Sequence, residues 1–379
     1  MRIFYDHQIF SFQRFGGISK YFSELLAFLV NHPELDCTPV PGFRSYVNYH
    51  LKQKKIWEKE IPFNNPESPF QYWRNYFLNR NFCRKKANDR QYDLIHLTFY
   101  DPFFTAFKRR HPEIPLVITI HDMTPELFPK QYSSLYGELV SRSWIQAKHD
   151  LAMLADGIIV VSQNTRNDLS RIYGIPEEKL TVIPHGCKPA ESFSQTRPWP
   201  RPYLLYVGIR GGYKNFTVFL QGAAPILHEN PKLDIICIGG GKFTSAEMKL
   251  MKKLSVDGQV IQKNVSDQEL ADFYHYAEFF VYPSRYEGFG LPLLEAFSAE
   301  CPVLAAQASC FPEIGKDAAV YFPPDAPEIL TARLKKYIGD QDWKDKMREK
   351  EKSIASSFSI ENMARQTANF YRTICPDFR

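Results

Sequence analysis

Two glutamates eight residues apart frame the stretch of this chain with the clearest chemical promise: Glu287-Gly288-Phe289-Gly290-Leu291-Pro292-Leu293-Leu294-Glu295. The apolar run EFFVYPS before it reads as a strand, and the residues from Pro292 read as a helix. Proline suits a first helical turn, where its missing N–H costs nothing. Gly288 and Gly290 let the backbone come close to a ligand, and the start of the helix offers free N–H groups to an anion. Phe289 and Leu291 belong to the same turn. Glu295 then stands within the first turns of the helix, where it can reach a vicinal diol such as a ribose. Glu287 stands on the other side of the glycines. A bare pair of glutamates is easily incidental; the GFGLPLLEAF run and the preceding Tyr282-Pro283-Ser284 argue that this pair is not.

A second cluster follows another apolar run, YLLYV. Gly208-Ile209-Arg210-Gly211-Gly212-Tyr213-Lys214-Asn215 places two cations in a glycine-bearing loop after a strand. A nucleoside diphosphate needs such cations or backbone N–H groups. The plain alternative is a solvated basic loop. Gly16 and Gly17, ahead of a helix, can approach phosphate by backbone alone or make a simple tight turn. His121 ends the strand PLVITIH and can hydrogen-bond a sugar hydroxyl, although a lone histidine is more often structural. His7 after the first strand is a weaker candidate. Gly239-Gly240-Gly241 lets the chain turn after DIICI, and Ser266 with Glu269 reads as a capping box.

Positioning these residues takes a regular scaffold. Strands are predicted at 2–5, 93–99, 116–121, 157–162 and 181–184 in the first half. In the second half they are predicted at 203–207, 234–238, 260–262, 279–282, 303–305 and 320–322. Helices are predicted between them, among them 17–30, 135–154, 163–173, 216–228, 245–254, 267–276, 292–300 and 327–338. Runs such as IIVV and DIICI suit a parallel sheet covered on both faces. Alternating strand and helix gives an α/β protein of two doubly wound, Rossmann-like domains. The four prolines of residues 187–202 mark the join. We expect an N-terminal domain over 1–190, with a helix at about 358–379 packing back onto it, and a second domain over 200–357. Ligands of such a fold bind in the cleft at the carboxyl ends of the strands.

Composition narrows the class. The chain has 379 residues, 44% hydrophobic and 23% charged, which excludes disorder or coiled coil as its main theme. No apolar run reaches the length of a membrane-spanning helix, and the N-terminus turns polar too soon for a signal peptide. Seven scattered cysteines without a CxxC pair fit a reducing cytoplasm. There is no HExxH, EF-hand or credible DxD loop, so no metal site is expected. Residues 42–111 carry 14 Lys/Arg against 6 Asp/Glu. Within them, 72–90 interleave Trp73, Tyr76, Phe77 and Phe82 with Arg74, Arg80, Arg84, Lys85, Lys86 and Arg90. Two readings stand: a solvated helix with an aromatic face in the core, or peripheral contact with an anionic membrane. No nucleic-acid motif accompanies the basic residues.

The Glu287–Glu295 segment resembles the donor-binding signature of retaining glycosyltransferases of family 4, which have the GT-B fold. Gly16-Gly17-Ile18-Ser19-Lys20-Tyr21 resembles that family's glycine loop, and His121-Asp122 its catalytic-histidine position. Val161-Ser162, Val182-Ile183-Pro184-His185-Gly186 and Tyr206-Val207-Gly208 fall in family order, so the resemblance covers nearly the whole chain. The pattern is similar to bacterial and cyanobacterial exopolysaccharide glycosyltransferases. Two departures occur: His185 stands where the family often has Asn, and Arg210 is displaced by one residue, whereas Lys214 matches. The resemblance implies a cytoplasmic, metal-independent hexosyltransferase without a cofactor, using a nucleotide sugar and a glycan or lipid-linked glycan acceptor. UDP-glucose is the first expected donor and GDP-mannose the second. It implies His121 and Glu287 at the sugar, Gly17, Arg210 and Lys214 at the diphosphate, and Val265 and Leu270 around the base. Gly288, Phe289, Gly290, Leu291 and Glu295 complete the donor site. The rival readings are a nucleotide-sugar epimerase or hydrolase on the same fold and a non-catalytic sugar-binding partner. The absence of GxGxxG after the first strand weighs against a NAD-linked dehydrogenase.

Overall fold

The computed structural model describes residues 1–129, 135–189 and 192–376, and of 135–141 the backbone alone. Residues 190–191 of the expected linker and the last three of the expected terminal helix lie outside the described residues. The chain divides into two compact units, Met1–Gly186 with Ile360–Arg379, and Cys187–Ser359.

Each unit is built on a six-stranded parallel sheet. In the first, β1 (Arg2–Tyr5), β2 (Thr38–Pro41), β3 (Leu94–Leu97), β4 (Leu116–Ile120), β5 (Gly157–Val160) and β6 (Leu180–Val182) run in the order β2-β1-β3-β4-β5-β6. In the second, β7 (Tyr203–Val207), β8 (Asp234–Ile238), β9 (Val260–Lys263), β10 (Phe279–Tyr282), β11 (Val303–Ala306) and β12 (Ala319–Phe322) run in the order β12-β11-β10-β7-β8-β9. The central strands β3, β4, β5, β8, β10 and β11 are buried along their whole length. Their continuous apolar runs are therefore what helices on both faces require.

β2 escapes the sequence reading because Pro39 and Pro41 read against a strand. It lies at a sheet edge and pairs with β1 alone, where an absent N–H breaks no second ladder. β3, β5 and β6 end earlier than predicted. The freed residues become connections: the Thr98 N–H leaves the ladder to donate to the buried Asp6 carboxylate, which also accepts from the Gln8 N–H at 3.0 Å. That carboxylate ties the end of β1 to the end of β3.

The helix Ile360–Ile374 belongs to the first unit. Its Tyr371 hydroxyl meets that of Tyr5 at 2.7 Å and Nδ1 of His96 at 2.5 Å, and His96 Nε2 reaches Thr119 Oγ1 at 2.8 Å. Arg372 donates to the Leu35 carbonyl at 2.6 Å. The helix lies so close to β5 that a Cβ on Gly157 would stand 2.5 Å from the Phe370 ring.

In the second unit, Glu351 on the helix Gln341–Ser357 is fully buried, and neither carboxyl oxygen has a hydrogen-bond partner among the described residues. Burial pushes its carboxyl up to about 8, against the pull of Arg348 and with a further push from Glu300. The folded chain holds this group neutral where the unfolded chain ionises it. Stability must then fall as pH rises from the ordinary carboxylate range to about 8, and level off above. Glu351→Leu is expected to raise stability in mildly alkaline buffer by about 1–3 kcal/mol and to gain less near the ordinary carboxylate range. Thermal melts of both proteins across pH check this; an equal gain at every pH would refute the ionisation account.

Candidate functional site

The second sheet grows in both directions from its first strand, β7: β8 and β9 on one side, β10 to β12 on the other. Connections after β7 and β10 therefore leave the sheet on opposite faces and open a crevice at the carboxyl ends of these two strands. The two chemically marked segments emerge there. After β7, Gly208 takes a left-handed φ of 120°, and the loop passes through a single 3-10 turn at Gly212–Lys214 into the helix Phe216–Glu229. After β10, the chain runs through Glu287 to Gly290, whose φ of 83° opens the helix Leu291–Ser298. A Cβ on Gly290 would also stand 3.2 Å from the Phe311 ring, so both dihedral and space call for glycine.

Lys214 and Glu287 meet across this crevice, Nζ to Oε1 at 2.6 Å, and both side chains retain some exposure. The pair is locked from behind. Arg285 N donates to the Tyr213 carbonyl at 2.8 Å, and Ser309 Oγ donates to the Glu287 carbonyl at 2.6 Å. Asn215, expected as a helix cap, makes no side-chain cap. Its amide instead donates to the carbonyls of Pro283 and Pro324, at 3.1 and 2.6 Å, binding the loop after β7 to those after β10 and β12.

Arg210 is used differently from the expectation that it lies open to a diphosphate. It is 7% exposed, and its Nε donates to Glu247 at 3.0 Å. Its terminal nitrogens donate to the carbonyls of Gly239, Gly240, Gly241 and Lys242 at 2.8–3.2 Å. Gly239, Gly240 and Gly241 all have positive φ, which turns their carbonyls inward onto the guanidinium. A Cβ on Gly240 would stand 2.8 Å from Nη1. In this arrangement Arg210 holds the glycine loop after β8, and Lys214 faces the crevice, paired with Glu287.

Val265 and Leu270 follow β9, both half-buried, on either side of the start of the helix Asp267–His275. The capping box is present, Ser266 Oγ accepting from Glu269 N at 3.3 Å and Glu269 Oε2 accepting from Ser266 N at 2.8 Å. Glu295 lies half-buried in the helix after Gly290; burial pushes the Tyr274 hydroxyl well above its usual range and the nearby Glu295 carboxylate pushes it further. Gly288, Phe289 and Leu291 sit in the same turn as Gly290. Apart from Gly17, which lies in the first unit, the expected donor residues thus follow three strands of the second sheet, β7, β9 and β10.

The first unit holds the remaining candidates. His121 follows β4 and is 7% exposed. Its Nδ1 lies 3.3 Å from Nε2 of His185, in the turn after β6. Both rings pack edge-on against Tyr21, at 5.1 and 4.9 Å between centroids. Tyr21 is carried by the helix Gly17–Asn31, which starts at the glycine pair, with Gly17 exposed. Burial pulls His121 down to about 4 and His185 well below the usual imidazole range, so both rings are neutral near pH 7. A neutral pair shares one proton across Nδ1···Nε2, and His121 Nε2 has no hydrogen-bond partner among the described residues. Sequence reasoning named His185 only as a departure from a family pattern; its partnership with His121 joins residues 64 apart. His7 is fully buried, Nδ1 at 3.1 Å from Ser11 Oγ, and is pulled down to about 3 by burial and by Arg80 and Arg84.

Comparison with known proteins agrees with this geometry. The model of glycosyltransferase family 4 matches residues 15–191, and the model of group 1 glycosyl transferases matches residues 187–354. The O-antigen chain mannosyltransferase B of Escherichia coli is 26% identical over 275 residues, 68% of this chain and 70% of that protein. Among solved structures, Alr3699/HepE of Anabaena, in complex with UDP and glucose, superposes with a TM-score of 0.72 at 17% identity, over 98% of this chain and 100% of the other. The sucrose-phosphate synthase of Thermosynechococcus elongatus gives 0.72 at 17% identity, over the full length of both chains. With a family 4 match followed without a gap by a group 1 match, two parallel six-stranded sheets, and a lysine–glutamate pair at the switch point of the second, the chain belongs to the family 4 glycosyltransferases of GT-B fold.

Proposed function

We propose that this glycosyltransferase moves a hexose from a nucleoside diphosphate sugar onto a glycan or lipid-linked glycan, with retention at the anomeric carbon, in polysaccharide synthesis. The observation that carries the reading is the Lys214–Glu287 pair at the switch point of the second sheet. A cation and a carboxylate side by side match the two ends of one ligand. The ammonium suits the diphosphate, and the carboxylate suits the hydroxyls of the sugar it bears.

Developing negative charge on the leaving diphosphate is stabilised by Lys214 and by the N-terminus of the helix Leu291–Ser298, with the backbone of Gly288–Gly290 alongside. Arg210 contributes by fixing the glycine loop. Glu295 takes the ribose diol, and Val265 and Leu270 flank the base. His121, neutral and with Nε2 available, hydrogen-bonds the transferred sugar. Held at about 4, the imidazole is too weak a base to keep the proton of the acceptor hydroxyl, so the leaving phosphate itself takes it. These groups supply the charge stabilisation without a divalent ion.

UDP-glucose is the first donor proposed and GDP-mannose the second. Anabaena Alr3699/HepE holds UDP and glucose, and the Escherichia coli relative is named a mannosyltransferase. A thermal-shift panel of UDP-, GDP- and ADP-sugars, then turnover with the best binder and NMR of the product anomer, tests the reading. We place the enzyme in the cytoplasm, peripheral to the inner face of the membrane that carries its acceptor.

Losing a charge-assisted bond to phosphate costs about 1.5–3 kcal/mol, so Lys214→Ala is expected to weaken binding of the free nucleoside diphosphate about 10- to 150-fold. Calorimetry showing parental affinity would move the phosphate site elsewhere. Glu295→Ala is expected to lower nucleotide affinity. Glu287→Ala is expected to leave it unchanged or raised, because Lys214 loses its competing carboxylate, while turnover drops. The reverse assignment of these two effects would overturn the roles given. Activity is expected to survive saturating EDTA; loss that manganese or magnesium restores would demand a metal.

A further inference from the structure

The helix Pro69–Asp89 is inside out. Its buried positions are Asn79, Cys83 and Ala87. Asn79 is 2% exposed and fully engaged, donating to the Ser45 carbonyl at 2.8 Å and Ser11 Oγ at 3.0 Å and accepting from Arg44 N at 3.1 Å. The large apolar side chains turn outward instead: Phe70 is 75% exposed, Trp73 48%, Phe77 49% and Leu78 44%. They recur at helical spacing along one stripe, so the exposure belongs to a face. The aromatic surface continues beyond the helix. Trp73 meets Tyr76 at 5.7 Å, Tyr76 stacks on Phe12 at 5.1 Å, and Phe12 meets the exposed Trp144 at 6.3 Å. Of the two readings of this segment, the one that turns its aromatic face to the core fails for Trp73 and Phe77.

Against this stripe lies a polar cavity of about 390 Å³, lined among others by Arg44, Arg74, Asn64, Asn65, Asn75 and Leu78, and by no acidic residue. Neither guanidinium is paired with a carboxylate among the described residues. Residues 69–90 carry six cations against the single acid Asp89. Two copies meeting face to face through this surface would repel each other. An anionic surface with an apolar interior fits both parts: guanidinium groups take phosphate by charge-assisted bonds, and aromatic side chains enter the zone between headgroups and acyl chains.

We propose that this face docks on an anionic phospholipid bilayer, a headgroup phosphate entering the Arg44–Arg74 cavity while Phe70, Trp73 and Phe77 enter the interface. The proposal deepens the reading of a transferase working on a membrane-borne acceptor and rests on it for its purpose, though not for its geometry. Arg84, which lies 3.9 Å from the buried Asp101 and over the Phe103 ring, has a smaller part here than its place in the basic run suggests.

Co-sedimentation of the full chain with phosphatidylcholine vesicles, with and without phosphatidylglycerol, tests it. Binding is expected to require phosphatidylglycerol and to weaken at high salt. It should fall about tenfold or more both in Arg44→Glu/Arg74→Glu and in Trp73→Ser/Phe77→Ser. Brominated acyl chains are expected to quench the Trp73 signal, taken as the difference from Trp73→Phe. UDP affinity is expected to stay parental in every variant, and parental circular dichroism and thermal melts show that the first unit, which carries the substitutions, still folds. Equal binding to both vesicle types, or to neither, overturns the proposal. So does inorganic phosphate that binds through Arg44 and Arg74 while vesicles do not, or a dimer that Trp73→Ser/Phe77→Ser dissolves. Vesicle binding by a parent chain that binds no nucleotide sugar would sustain the docking surface and reject the proposed function.

Discussion

A parallel sheet that grows both ways from its first strand cannot close over that strand's carboxyl end, and the donor unit is organised around this. Connections after β7 and β10 depart to opposite faces, so two chain segments 73 residues apart are left facing one another, with Lys214 on one and Glu287 on the other. Their ion pair is half-withdrawn from water, where a lone charge would be costly and a paired one is tolerable. Around it the backbone is held by neighbours that have no chemistry of their own: Asn215 across three loops, Ser309 behind Glu287, and Arg210 inside the glycine loop. A ligand that separates Lys214 from Glu287 meets groups already aimed at it, and the cost of binding is reduced by the order present beforehand.

The first unit prepares polarity by another route. His121, His185, His96 and His7 are all buried, and burial holds each one neutral. Neutral imidazoles in contact must divide donor and acceptor roles between them. The contact between His121 and His185 therefore couples the tautomers of the two rings, while Tyr21 packs edge-on against both. His96 belongs to a different chain of bonds, Tyr5–Tyr371–His96–Thr119, that secures the last helix to the sheet. Chemically similar residues thus differ in how many ring nitrogens the fold uses: both in His96, and among the described residues one in His7 and one in His121.

Much of the architecture was legible in the sequence because its signals are local. Continuous apolar runs marked the buried strands, and glycines at the ends of β7, β8 and β10 marked turns with positive φ. Ser266 and Glu269 announced a cap, and Gly288 to Pro292 a helix start with room for an anion. Such features depend on a few neighbouring residues and on dihedral limits the chain carries with it. Tertiary structure decided whatever depends on residues distant in sequence. It made β2 a strand despite two prolines, by giving it an edge; it turned Arg210 into the glycine loop and Asn215 away from its helix; it joined His185 to His121 and Lys214 to Glu287. It also set Phe70, Trp73 and Phe77 of Pro69–Asp89 outward, while Asn79 holds the inner face of that helix. Hydrophobic pattern specifies which segments become elements; only packing, which obliges each buried polar group to find a partner, determines which side chains are spent on the fold and which remain for a ligand.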